Sequence, residues 1–151
     1  MIEPLLTAIL TVLIGVVIYV LGQIASKFFI EPVHELSQTI GRIGDSLIFY
    51  ANVYTNKVDP KKHKEANEIL RQQTSMLKAR AQMVRWYSLF HRLGFIPSKE
   101  DIAAAHFELI GISNLTPRDS SDCVTNLKRS NKVKILLRLI DKAEQSNLLT
   151  E

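Results

Sequence analysis

At 151 residues and a formal net charge of +4, the chain has room for one modest domain plus an accessory segment, which excludes a multidomain architecture. Its single cysteine, Cys123, excludes an intramolecular disulfide and fits a reducing compartment. Prolines number five and glycines six, and no alternating apolar runs are joined by hairpin signals, so the expected fold class is all-α.

The average composition hides two unlike pieces. All 19 Lys and Arg lie at or beyond Lys27, and of the 15 acidic residues only Glu3 comes earlier. From Lys27 onward, 19 cationic side chains face 14 acidic ones, a net +5. Leu5 to Ile24 is a 20-residue apolar run whose only polar members are Thr7, Thr11, Tyr19 and Gln23. As a helix it is about 30 Å long, the thickness of a hydrocarbon core, so the sequence predicts one transmembrane anchor within residues 1–30. A cleaved signal peptide needs a basic start, a shorter apolar stretch and a small-x-small site. Here the start is acidic (MIEP), the stretch is too long, and IASKFF offers no such site. With Lys and Arg only on the C-terminal side, the N-terminus is expected outside and the following domain in the cytoplasm. Lys27, Phe28 and Phe29 suit the membrane–water boundary. Ala8, Thr11, Gly15, Gly22 and Ser26 recur at three- to seven-residue spacing on one side of the helix, where a second helix could approach closely.

The domain is expected over residues 31–143 as about four or five helices, with a frayed tail at 144–151. Pro32 should end or kink the membrane helix. Leu36, Ile40, Ile43, Leu47, Tyr50 and Tyr54, spaced 4, 3, 4, 3, 4, predict a helix to Asn56 with one apolar stripe, widened by Ile48 and Phe49. That stripe suits packing within the domain or pairing between copies beside the membrane. Gly41 and Gly44 would permit close packing, at ~1 kcal/mol each relative to Ala. Asp59 is the expected N-cap and Pro60 the first residue of a helix over 61–83, with Ala66, Ile69, Leu70, Gln73, Met76, Leu77 and Val84 inward. Arg85 to Leu93 is short, aromatic and amphipathic, with Gly94 as its C-cap. Its Trp86, Leu89, Phe90 and Leu93 would either enter the core or face lipid. Ser98 to Asp101 has the form of a capping box, opening a helix that Gly111 terminates after Leu109. Residues 113–122 read as a loop. Asp122 would cap a last helix to Ala143, with Val124, Leu127, Val133, Leu136, Leu137 and Ile140 inward.

None of these patterns carries a catalytic, cofactor or metal site, and no enzyme is expected. His34, His63, His91 and His106 lack metal-ligand spacing and a cysteine partner, and are expected at or near the surface. Cys123 has no nucleophile signature, Glu35, Asp45 and Glu108 form no evident acid–base pair, and no phosphate-binding glycine loop occurs. Positive charge is more informative. From Lys57 to Arg92 nine Lys and Arg oppose three acids, and from Lys128 to Arg138 five oppose none. Lys61, Lys62, Lys64, Arg71, Lys78, Arg80, Lys128, Arg129, Lys132, Lys134 and Arg138 are therefore the candidate surface for anionic lipid or another anionic ligand. Each basic group near an anionic leaflet is attracted by about 1 kcal/mol. Nucleic acid is not favoured, because no helix-turn-helix or stacking platform accompanies the charge.

The stretch GQIASKFFIEPVHELSQTIGRIGDSLIFYANVYTN resembles the start of small bacterial single-pass membrane proteins with a helical cytoplasmic domain, a group with no attached activity. LRQQTSMLKARAQ, WYSLFHRLGFIPSKEDI and ELIGISN are similar too, so the resemblance covers most of the chain. It implies that architecture and a bacterial inner membrane, and no site residues. Two functions are expected from the sequence as a whole. One is an interaction or scaffolding module that self-associates through the anchor and the 36–54 stripe, or recruits an unidentified cytoplasmic partner. The other is a signal-gated membrane effector, whose basic helices bind an anionic ligand and rearrange the membrane helices.

Overall fold

The structure, a computed structural model, describes residues 2–56, 60–115 and 120–140, and every regular element among them is helical. The expected cap at Asp59, the middle of the 113–122 loop and the 144–151 tail lie outside the described residues. In order come α1 (Ile2–Ala25), a π-helical segment (Ser26–Ile30), α2 (Glu31–Phe49), α3 (Ala51–Thr55), α4 (Pro60–Met83), α5 (Tyr87–Arg92), α6 (Lys99–Asn114) and α7 (Ser120–Leu136).

Of the two expected effects of Pro32, ending the first helix does not occur: the helix is continuous from Glu3 to Phe49, 47 residues. The π segment explains this. In an α-helical register the Pro32 ring would meet the carbonyl of Phe28. Instead the Glu31 N–H bonds Ser26 O, five residues back, and the wider turn makes room just before the proline. Pro32 then occupies the first turn of α2, where a missing donor matters least. α1 is long and apolar enough to cross a membrane, and its described side chains are all exposed. Its threonines need no solvent: Thr7 Oγ1 donates to Glu3 O (2.9 Å) and Thr11 Oγ1 to Thr7 O (2.8 Å).

Beyond Glu31 four longer helices run alternately away from α1 and back. Gln73 Nε2 donates to Ser46 Oγ (2.7 Å) late in α2, while Arg80 meets Glu35 near its start, so α4 is antiparallel to α2. Arg71 bonds Asn114 at one end of the α4–α6 pair, and Val84 and Ile102 share a cleft at the other. Lys132 donates to Glu108 (2.6 Å) and Asn126 to Leu115 O (3.1 Å), which sets α7 antiparallel to α6. Among the described residues the four longer helices thus follow an up-and-down order, with α3 in the far connection and α5 in the connection on the α1 side.

The predicted apolar stripe of α2 turns inward: Leu36, Ile40, Ile43, Leu47 and Tyr54 are buried. Most of that face is used within the domain, and Tyr50 is half-buried. Ile48 and Phe49, expected to widen it, are exposed. The single helix expected to Asn56 is broken at Tyr50 (φ −95°, ψ 14°), which redirects α3 so that buried Tyr54 donates to Ala66 O (3.1 Å) across the connection. α4 buries Ala66, Leu70 and Leu77, and Val84 follows. His63 is also buried, at 4 % exposed, correcting its expected surface position.

The capping box is formed: Ser98 Oγ accepts from the Asp101 N–H (2.9 Å), and the Ser98 N–H donates to Asp101 Oδ2 (3.3 Å). Gly111 does not terminate α6, which runs on to Asn114; its missing side chain instead makes room for the Arg129 guanidinium, which packs where a Cβ at 111 would sit. α7 starts at Ser120, so Asp122 lies in its first turn instead of capping it. It stops at Leu136, short of Ala143, through a Schellman closure on Arg138 (φ 57°). There Arg138 N bonds Ile135 O (3.1 Å) and Leu139 N bonds Lys134 O (2.8 Å). Its inward face is Asn126, Ser130 and Val133, with Leu137 after it, whereas Val124 and Leu127, expected inside, are exposed.

The α2 glycines differ in role. Leu139 Cδ atoms lie 3.1 and 3.2 Å from where a Cβ of Gly44 would sit, whereas the space beside Gly41 is open. Gly41→Ala is expected to raise stability by about 1 kcal/mol, since only helix propensity changes. Gly44→Val should lower it by about 1–3 kcal/mol through displacement of Leu139. Denaturant unfolding in detergent checks both, and equal effects would contradict the difference in packing.

Candidate functional site

At about 100° per residue, Ala8, Thr11, Gly15 and Gly22 fall within about 60° of arc on α1. Ser26 opens the π segment. A Cβ at Gly15 or Gly22 would meet nothing within 4 Å, so this face is unoccupied by the rest of the chain.

The bundle disperses the basic residues over several faces. Lys61, Lys62 and Lys64 are exposed at the start of α4, and Lys64 and Arg71 border a shallow depression over His63 and Asn67. Half-buried Arg80 donates to Glu35 O (2.9 Å) and Thr39 Oγ1 (2.7 Å), pairs with the Glu35 carboxylate at 3.8 Å, and so ties α4 to α2. Arg129 (3.7 Å) and Lys132 (2.6 Å) bracket Glu108 and tie α7 to α6. Arg138 donates to Gly94 O (3.4 Å), Lys128 is exposed and Lys134 half-buried. Of the carboxylates considered for acid–base work, Glu35 and Glu108 are thus in ion pairs, and Asp45 is exposed. Cys123 is a half-buried free thiol. Among the described residues no group of three or more His, Cys, Asp or Glu is placed to hold a metal ion.

Lys78 is placed differently. A cleft of about 540 Å³ lies between the C-terminal half of α4 and the N-terminal half of α6. Ala81, Val84, Ile102, Ala103 and Phe107 give it apolar walls, and Lys78, Gln82, Lys99 and His106 supply its polar groups. Among the described residues no carboxylate lines it. Lys99 Nζ also stands 5.3 Å from the centroid of the Tyr87 ring. Apolar walls with two ammonium groups suit an amphiphilic anion. Lys99 and His106 were not in the basic set expected from sequence. Lys99 was read as part of the cap, although Lys99, Ala103 and His106 at i, i+4, i+7 share one face of α6.

Burial, and secondly the charge of Lys78, hold His106 below the ordinary histidine value of 6.5. The fold thus favours the neutral ring. That contribution is complete above pH 6.5 and is lost as pH falls through the lower folded value. Tyr87, whose hydroxyl donates to Pro97 O (2.9 Å), behaves oppositely. Burial first, then Asp101 and Glu100, push it from 10.0 up to about 12, so its contribution is complete below pH 10 and lost as pH rises toward 12. Burial raises Tyr54 in the same direction. Unfolding followed across pH should show stability declining on both flanks, with His106→Gln flattening the acid limb and Tyr87→Phe the alkaline one.

Comparison of the chain with protein families, with curated proteins and with solved structures finds no match in any of the three.

Proposed function

We propose that the protein is a membrane-anchored helical interaction module. α1 crosses a bacterial inner membrane with the N-terminus outside, and the four-helix domain stands in the cytoplasm, as the Lys and Arg bias favours. The observation that carries this reading is the unbroken helix from Glu3 to Phe49. Its first half is exposed and apolar, its second half is a wall of the domain core, and the two are joined through the π segment with no intervening loop. The domain is therefore delivered to the bilayer in a set geometry. With most of the α2 stripe filled, the surfaces assigned to partners in this reading are the small-residue face of α1 and the α4–α6 cleft. Purification in mild detergent with mass measurement tests the reading. The expected result is a homo-oligomer or a stoichiometric partner complex, reduced by Gly15→Leu with Gly22→Leu or by Phe107→Asp. A strict monomer with nothing bound would count against it.

The cleft favours a second reading, a signal-gated effector. An anionic ligand held by Lys78 and Lys99 would bridge α4 and α6, and α4 packs against α2, which is continuous with α1. Unchanged oligomeric state and membrane permeability across a screen of anionic nucleotides would remove it.

A further inference from the structure

We propose that α5 and the residues flanking it form a second membrane contact, a shallow interfacial surface on the leaflet from which α1 emerges. This contact presupposes that α1 crosses the bilayer, as proposed above.

The faces of α5 are the first observation. Tyr87 and His91 turn toward the domain, the hydroxyl donating to Pro97 O and His91 Nδ1 lying 3.1 Å from Ile96 O. On the other side Trp86 is 67 % exposed, Leu89 45 % and Leu93 60 %, and Phe95 beyond Gly94 is 66 % exposed. A surface helix of a soluble domain turns its apolar face inward. Here large apolar groups cluster outward on one short connection, the pattern of a buried or lipid-facing surface.

Location identifies what covers it. The Trp86 and Phe29 ring centroids are 5.0 Å apart, and the Arg85 guanidinium lies 5.9 Å from the centroid of Phe28. Phe28 and Phe29 lie one helical turn beyond the apolar run that ends at Ile24, past Ala25, Ser26 and Lys27, and Phe28, Ile30 and Met83 are exposed as well. The patch is thus continuous with the emerging span at the level of the headgroups. The bundle order agrees, since α5 occupies a connection on the α1 side. Lys27, Arg85 and Arg92 stand beside the aromatic groups. Glu31 and Glu35 share a depression with Lys27 and Arg85, but Glu35 pairs with Arg80, so the balance there remains basic and complements an anionic leaflet. The backbone supports the placement: Trp86 adopts a left-handed conformation (φ 55°, ψ 37°), unfavourable for a residue with a Cβ, at the reversal that brings its ring to Phe29. With two contacts instead of one, the domain has a defined rotation about the α1 axis, and the α4–α6 cleft a defined direction relative to the membrane.

Trp86 is the only tryptophan, so its emission reports on this surface alone. The full chain is reconstituted in vesicles of phosphatidylcholine and phosphatidylglycerol whose acyl chains carry bromine at shallow or deep positions. The expected result is blue-shifted emission, loss of most of it with shallow bromines, less loss with deep ones, and little quenching by aqueous acrylamide. Leu89→Ser with Leu93→Ser, both at exposed positions, should red-shift the emission and weaken bromine quenching. Emission open to acrylamide and indifferent to bromine, in protein that stays with vesicles through a carbonate wash, would overturn the contact while leaving the anchor intact. Shielding from both quenchers would mean that protein covers the patch, which also overturns it. Loss of the protein from washed vesicles would remove the anchor and this contact together. An unchanged Leu89→Ser, Leu93→Ser spectrum would likewise count against α5 lying in lipid.

Discussion

Ile14→Arg combined with Val17→Arg is expected to move the protein out of the carbonate-resistant membrane fraction. Both residues lie mid-way along the apolar run, and both are exposed on α1. An arginine at the centre of a membrane helix costs about 2.5–3.5 kcal/mol on an insertion scale, so the pair costs about 6 kcal/mol. Each remaining Leu, Ile or Val returns only about 0.3–0.6 kcal/mol, and the pair therefore cancels most of the drive to insert. Neither side chain touches the domain, so the helical content of residues 31–140 should persist. Fractionation followed by carbonate washing reads the outcome. Retention of the double variant in washed membranes would contradict a spanning α1.

Asn126→Leu should destabilise the domain by about 3 kcal/mol, chiefly through lost hydrogen bonds. Asn126 is 0 % exposed, and its Nδ2 donates to Tyr54 O and to Leu115 O, both at 3.1 Å. Those carbonyls belong to the last turn of α3 and the C-cap of α6, where backbone acceptors have no partner within their own helix. A single amide thus closes two helix ends on α7. Leucine fills a similar volume, so no large cavity opens. What is lost is the donor, and each buried acceptor left unsatisfied costs about 1–3 kcal/mol. The denaturant midpoint should fall with an unchanged slope. A shift under about 1 kcal/mol would mean that solvent reaches both carbonyls.

Asn126 also shows where sequence reading stops. Apolar spacing located the helices well when the buried face was aliphatic, as with Leu36, Ile40, Ile43 and Leu47, or with Ala66, Leu70 and Leu77. It misread α7, whose inward face begins with Asn126 and Ser130, because these residues answer groups contributed by positions 54 and 115. Glycine was ambiguous for a related reason. Gly94 closes α5 at φ 85°, but Gly111 is carried through α6 to admit Arg129, and nothing local distinguishes the two. Pro32 was legible as an obstacle, though not the π turn that absorbs it. Lys78 stood out by its charge, whereas Lys99 and His106 became neighbours of Lys78 only through the pairing of α4 with α6. The pattern of 86–93 suited a core or an outer face, and the structure divides it: Tyr87 and Phe90 pack on the core while Trp86, Leu89 and Leu93 face outward.

Helical continuity through the π segment would have a mechanical consequence for a spanning α1. From Lys27 to Phe49 the rod extends about 35 Å past the apolar run. A span of set length meets a thicker or thinner bilayer by changing its tilt, and tilts range over about 0–40°. On a lever of this length, a change of about 20° displaces the far end by about 12 Å. With α5 to one side of the rod, leaning one way presses Trp86 and Leu93 into the headgroups, and leaning the other lifts them out. If α1 spans the bilayer and α5 lies in its interface, as proposed, the attitude of the domain would be coupled to the thickness of the bilayer.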